Sequence, residues 1–208
     1  MTITEIQKKI SEQSIKGFLA DDEARALYDW ASEVTTLGPC LEIGSYCGKS
    51  SIFLGHGCKR NYSVLFAVDH HRGSEEHQQG EEYHDADLYN SQLEVMDSFP
   101  QFRRNMQAFD LDEHVIPIVA SSALTARAWA TPLAMVFIDG GHSEAAAKND
   151  CMIWSQFVLP KGILAIHDIF PNPEEGGQGP YLAMQAVLAS GDFVHLTTVR
   201  SLAILQRI

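Results

Sequence analysis

Three short apolar runs in this sequence end on acid: Ala67-Val68-Asp69, Phe137-Ile138-Asp139 and Ala165-Ile166-His167-Asp168. In open α/β sheets ligands bind outside the carboxyl ends of the strands, so acids at such tips are placed to meet one ligand. Asp139, His167 and Asp168 should therefore converge on one crevice. Two carboxylates close together repel unless a proton or a cation lies between them. Carboxylates with an imidazole and water suit an octahedral Mg²⁺ or Mn²⁺ better than a closed zinc site. The plainer alternative has His167 bracing its strand end and Asp139 capping the next helix.

The run Leu41-Glu42-Ile43-Gly44-Ser45-Tyr46-Cys47-Gly48-Lys49-Ser50-Ser51 holds an acid and two glycines in E-x-G-x-x-x-G spacing. Glycines there let the backbone turn sharply and approach a ligand with no Cβ in the way. The following helix can then turn its N-terminus toward that ligand. A tight strand-to-helix turn with no ligand would use the same residues. The dinucleotide fingerprint GxGxxG is not matched, which disfavours a nicotinamide-dependent oxidoreductase. Asp69, about 20 residues past the glycine turn, is spaced to hold both hydroxyls of a ribose.

Those tips need strands, and the hydrophobic pattern supplies them. Cys40–Ile43, Val64–Val68, Val115–Val119, Ala134–Ile138 and Ile163–Ile166 are strand-like runs separated by polar or helix-forming sequence. Alternation of buried strands with helices argues for a parallel sheet covered on both faces. Phe193–Val199 and Ser201–Gln206 have almost nothing between them, which permits only an antiparallel pair. The expected fold is a single α/β domain over residues 1–208, a Rossmann-like doubly wound, mostly parallel seven-stranded sheet with an antiparallel C-terminal strand. Two helices precede it within residues 1–37, one around Ile6 to Ile15 and one from Asp21-Asp22 through Leu27, Trp30 and Val34. They could supply a homodimer face.

The segment from His70 to Pro100 is far longer than the usual connection and is rich in His, Glu and Asp. It reads as an inserted lid on the acceptor side, with His71, Glu75 and Glu76 nearest the strand end and His77 and His84 further on. A solvated acidic loop is the alternative, above all for Glu81 to Asp87. Gly176-Gly177-Gln178-Gly179-Pro180 reads as a second flexible segment able to close over an acceptor.

Composition narrows the partners. A net charge of −12 with only 15 basic residues argues against nucleic acid, whose phosphates call for a Lys/Arg face. No apolar run approaches the roughly 20 residues that span a bilayer, and the N-terminus lacks a secretory signal, so a cytoplasmic protein is expected. Cys40, Cys47, Cys58 and Cys151 form no CxxC pair and are read as buried free thiols.

Taken with these residues, the chain resembles the class I S-adenosylmethionine-dependent methyltransferases, in particular the metal-dependent catechol-type O-methyltransferases. LEIGSYCGKSS resembles that family's first motif, AVD at Asp69 its ribose position, and IVASSA (Ile118–Ala123) the segment beside the adenine. MVFID at Asp139 and AIHD at Asp168 resemble its metal-bearing strand ends. The run from Asp139 to Asp168 is also similar to a bacterial family of macrocin O-methyltransferases and cephalosporin-hydroxylase-like enzymes, and the likeness extends over roughly Gly38 to Phe170. It implies that Gly44, Tyr46, Gly48 and Ser50 shape the methionine end of S-adenosylmethionine, with Glu42 orienting the loop. Asp69 would bind the ribose, His70, Ser121 and Ser122 would lie near the adenine, and Asp139 and Asp168 would bind the metal.

The sequence departs from the catechol pattern twice. An Asn expected after the second metal Asp is Ile169, so His167 is the candidate third ligand. A catalytic Lys three positions beyond the first metal Asp is His142, a residue type able to act as a general base near neutral pH. A helix-start histidine touching cofactor or solvent is the alternative for His142. The implied activity is metal-assisted methyl transfer to a hydroxyl of a small molecule, such as a chelating vicinal diol or catechol. A hydroxylase-like or other enzyme in the same crevice, or a non-catalytic cofactor-binding protein, are the competing readings.

Overall fold

Residues 1–73, 85–141 and 143–208 are described by the computed structural model of the chain. Helix α1 (Ile3–Glu12) begins earlier than hydrophobic spacing suggested, because Thr2 and Glu5 form a capping box across its first turn. It ends before Ser14, whose φ of 51° leaves the helical region. Helix α2 (Asp21–Val34) opens at the expected acids and buries Ala24, Leu27 and Ala31 at helical spacing.

From β1 (Cys40–Ile43) the chain alternates through α3 (Lys49–Lys59), β2 (Leu65–Asp69), a two-stranded ribbon of β3 (Tyr89–Asn90) and β4 (Val95–Met96), and α4 (Phe99–Ala108). It continues through β5 (Val115–Val119), α5 (Ser122–Ala126), β6 (Leu133–Ile138), α6 (Glu144–Trp154), β7 (Val158–Ile166) and α7 (Gly179–Ala189). The hairpin of β8 (Phe193–Val199) and β9 (Leu202–Arg207) completes it. Seven strands form one sheet in the order β5-β2-β1-β6-β7-β9-β8. The first five named are parallel, and β9 runs antiparallel to both β7 and β8. The sheet is the Rossmann-like, doubly wound one expected, with its antiparallel strand tucked inside β8.

Alternate strand residues feed two cores. Cys40, Ala67 and Phe137 pack with Leu27, Phe53 and Phe102 from α2, α3 and α4 on one face. Leu41, Ile43, Val136 and Ile138 pack with Cys151 and Trp154 of α6 and Val187 of α7 on the other. All four cysteines are free and buried. Among the described residues no helix is long and apolar enough to cross a membrane.

Two expectations about loops need correction. The stretch from His70 to Pro100 is not one loop: it contains a 3₁₀ turn at Ala86–Leu88, the β3–β4 ribbon and the start of α4. Leu88 and Met96 anchor it by packing on Cys47 of the glycine turn. Gly179 and Pro180, read as flexible, instead open α7 and are buried there. Proline suits that position because its fixed φ is helical and the N–H it lacks would go unpaired.

Candidate active site

The register puts four strand tips level. Ile43 pairs with Val68 on one side and Ile138 on the other, and Ile138 pairs with Ile166. The residues that follow are Gly44, Asp69, Asp139 and His167. The ladder continues into them: Gly44 N–H donates to Val68 (3.0 Å), Asp139 N–H to Ile43 (2.9 Å) and His167 N–H to Ile138 (3.0 Å). The site lies at the β1–β6 boundary, where connections diverge to opposite sides of the sheet, as the crevice rule requires.

On one side of this boundary the turn after β1 is built by backbone. Gly44 has φ 87°, and a Cβ on it would lie 2.0 Å from the Asp139 carbonyl oxygen. Only glycine fits. Tyr46 follows at φ 46°, and its N–H donates to Asp69 Oδ2 at 2.8 Å. Asp69 Oδ1 accepts from the N–H of His71 at 2.7 Å, so both oxygens are aimed by main-chain donors. Gly48, also left-handed, caps α3, whose N-terminus follows the turn directly. Beneath the turn, Glu42 is fully buried and accepts hydroxyl hydrogen bonds from Ser50 (2.5 Å) and from Ser51. Burial pushes its carboxyl up to about 8, outweighing the two serines, and the nearby charges of Asp139 and Asp69 raise it further.

On the other side, ligand atoms of Asp139, His167 and Asp168 all lie within 4.8 Å of one another. His167 Nδ1 is 3.3 Å from Asp139 Oδ1 and 3.4 Å from Asp168 Oδ1, yet it is buried without a hydrogen-bond partner. Asp168 is held at φ 57°, a conformation uncommon outside glycine and concentrated at functional sites. Burial alone would lower the His167 imidazole, but Asp139, Asp168 and Glu23 outweigh it and push it up to about 12. A proton on Nδ1 offsets the two carboxylates that face it, and the same donor set would suit a divalent cation that displaced that proton.

Glu23 escaped sequence reading. It lies in the first turn of α2, buried, with Oε2 3.2 Å from His167 Nε2. A signal was present: position 23 shares the inward face with Leu27, four residues on, where a charge is out of place without a partner.

A methyltransferase-domain model matches residues 41–169, more than half of the chain and the whole stretch that carries the strand tips. The chain belongs to this methyltransferase family. Solved structures share the fold at low identity. The O-methyltransferase NovP superposes with a TM-score of 0.70 at 18% identity, over 90% of this chain and 80% of that one. The O-methyltransferase from Bacillus cereus in complex with SAH gives 0.64 at 13%, over 99% and 90%. TomG from Streptomyces achromogenes, an O-methyltransferase involved in tomaymycin synthesis and solved with SAM, gives 0.60 at 12%, over 98% and 86%.

In this methyltransferase several expected cofactor residues face inward. Ser50 is committed to Glu42, and Ser122 Oγ donates to Asp150 (2.5 Å) while accepting from Trp154 Nε1 (2.8 Å). Ser121 is the N-cap of α5 and accepts from the Leu124 N–H. His70 is half-exposed beside Asp69 and accepts from the Arg72 N–H. His71, counted with the acceptor lid, is instead buried between Phe99 and Phe102 and bonded to Ser98 Oγ at 2.8 Å. His142, Glu75, Glu76, His77 and His84 lie outside the described residues.

Proposed function

We propose that this protein transfers a methyl group from S-adenosylmethionine to a hydroxyl of a small molecule, with a divalent cation, Mg²⁺ or Mn²⁺, held by Asp139, His167 and Asp168. The single observation carrying this reading is the level arrangement of Gly44, Asp69, Asp139 and His167 across adjacent strand tips. It sets the glycine turn, which we read as the nucleoside-binding one, directly beside an acid and imidazole cluster.

Asp69 is prepared for a ribose. Its oxygens are oriented by the N–H groups of Tyr46 and His71, and each keeps lone-pair capacity for a hydroxyl donor. The Gly44 turn lets the tips of β1 and β6 lie against each other, since the place of a Cβ is filled by the Asp139 carbonyl, and we assign the methionine end to this turn. A sulfonium donor is a cation, and the carboxylates of Asp69 and Asp139 flank the hollow with negative charge. Methyl transfer is an in-line displacement, so holding donor and acceptor rigidly supplies much of the rate. A bound divalent cation supplies acidification and orientation of the acceptor hydroxyl. His142, three residues past Asp139 in the chain, is the base we assign to take the hydroxyl proton. NovP, TomG and the Bacillus cereus protein, each an O-methyltransferase by its own description, support the choice of oxygen as acceptor. The net charge of −12 argues for a small molecule rather than a nucleic acid.

Calorimetry with S-adenosylhomocysteine and with NAD, followed by turnover with and without EDTA, tests the reading. Binding of the former alone and turnover abolished by chelation are expected. Indifference to S-adenosylhomocysteine would discard the methyl-donor reading, and undiminished turnover in EDTA would remove the metal.

A further inference from the structure

Glu23 stands 144 residues before His167 in the chain, yet its carboxylate meets the imidazole in the interior. A carboxylate offers about four lone-pair positions, all acceptors. Four donors fill them here. Oε2 accepts from the Ala20 N–H (3.1 Å) and from His167 Nε2 (3.2 Å). Oε1 accepts from the Ser201 N–H (3.0 Å) and hydroxyl (2.8 Å), in the turn between β8 and β9. Glu23 is 3% exposed and His167 6% exposed, so water does not compete for either.

The chemistry of that contact is one-way. Because Glu23 can only accept, Nε2 must carry a hydrogen, so the nitrogen that gives up its proton to a cation, and then offers a lone pair, is the other one. That other nitrogen is Nδ1, the buried atom without a partner, aimed at Asp139 and Asp168. We infer that Glu23 is the positioning residue that presents His167 Nδ1, together with Asp139 and Asp168, as the ligand set of a divalent cation. The inference rests on the metal reading of the proposed function and assigns the N-terminal helix pair a part in it. A carboxylate behind a ligating histidine fixes its tautomer and ring orientation and makes it a stronger ligand. Glutamine at position 23 would break the one-way rule. Its amide can donate to Nε2, which allows Nδ1 to take the hydrogen and point it at the two aspartates.

A tether alone would not need this contact. Ala20 and Ser201 already bind the carboxylate, and Arg200 pairs with Asp22 across the same junction at 2.5 Å. That surface pair supplies the control, since Arg200→Ala loosens the α2 junction without touching Glu23 or His167.

The test is titration of the full chain with Mn²⁺ alone, following free Mn²⁺ by electron paramagnetic resonance, with no donor or acceptor present. The wild type and Arg200→Ala are expected to bind equally within about twofold, and Glu23→Gln about 10- to 100-fold more weakly. S-adenosylhomocysteine affinity should stay within about twofold in all three. Wild-type Mn²⁺ affinity in Glu23→Gln would overturn the inference and leave the metal reading standing. Absence of Mn²⁺ binding by the wild type would overturn both. Equal weakening in Arg200→Ala and Glu23→Gln would reduce Glu23 to a tether. If Glu23→Gln does not fold, Glu23→Asp replaces it: its carboxylate, one methylene shorter, withdraws from Nε2, and undiminished Mn²⁺ affinity there would equally overturn the inference.

Discussion

Two glutamates are buried on opposite sides of the β1–β6 boundary, and they carry opposite charge states. Glu42, under the glycine turn, is fully buried with only the hydroxyls of Ser50 and Ser51 for company, and its carboxyl rises to about 8. Glu23, behind the acid cluster, is equally hidden, and burial pushes it upward too. There the His167 imidazole, Ser201 and the Ala20 N–H outweigh burial and bring it down to about 2. Burial alone therefore does not decide the protonation of a carboxyl; the hydrogen-bond donors that meet it do, with the charge of the partner adding to them. The glycine-turn side of the site is neutral beneath its surface and aimed by main-chain N–H groups. The acid-cluster side is ionic and assembled by side chains from distant segments.

Gly44→Ala should produce the largest effect, because Gly44 is where the two sides touch. The left-handed φ costs an alanine about 1–2 kcal/mol, and a Cβ 2.0 Å from the Asp139 carbonyl must move backbone. A loss of about 3 kcal/mol or more in thermal unfolding is expected, with affinity for S-adenosylhomocysteine lost alongside. An alanine variant with wild-type melting and binding would show that the sides are not joined at this turn.

Next come two substitutions that should separate the sides. Asp69→Ala is expected to weaken S-adenosylhomocysteine binding by about 10- to 100-fold, from loss of charge-assisted hydrogen bonds worth about 1.5–3 kcal/mol, as read by calorimetry. Asp168→Ala is expected to leave that affinity within about twofold while turnover falls about 100-fold or more. Equal effects of both on binding would dissolve the distinction.

The smallest effects are in pH dependence, and their signs must differ. Glu42 has its pKa raised from 4.5 to about 8, so its stabilising contribution is complete below pH 4.5 and is lost as pH rises toward 8. Glu42→Gln should therefore gain a few degrees of melting temperature on the wild type between pH 4.5 and pH 8. Glu23 has its pKa lowered from 4.5 to about 2, so its contribution is complete above pH 4.5 and is lost as pH falls toward 2. Glu23→Gln should flatten that acid limb. Melting curves across pH that slope alike in both variants would contradict the contrast.

Most of the sheet and the glycine turn were legible because their signals are local. Alternating strands and helices, the two glycines and the strand-end acids at Asp69, Asp139 and Asp168 follow from hydrophobic periodicity and from what a tight turn permits. The same local logic misread Gly179-Pro180, since a Gly-Pro pair marks a loop or a helix start equally well until packing of α7 decides. His71 looked like a lid residue by position, and only the rings of Phe99 and Phe102 show it to be core.

What the sequence determined by itself is the order of elements, the glycine turn and the residues at the strand tips, because each is dictated by backbone sterics and burial within a few neighbouring residues. Only the tertiary structure decided which carboxyls would be charged. The pairing of Glu23 with His167 across 144 residues depends on how α2 packs against the end of β7, and ionisation follows from that distance rather than from residue type.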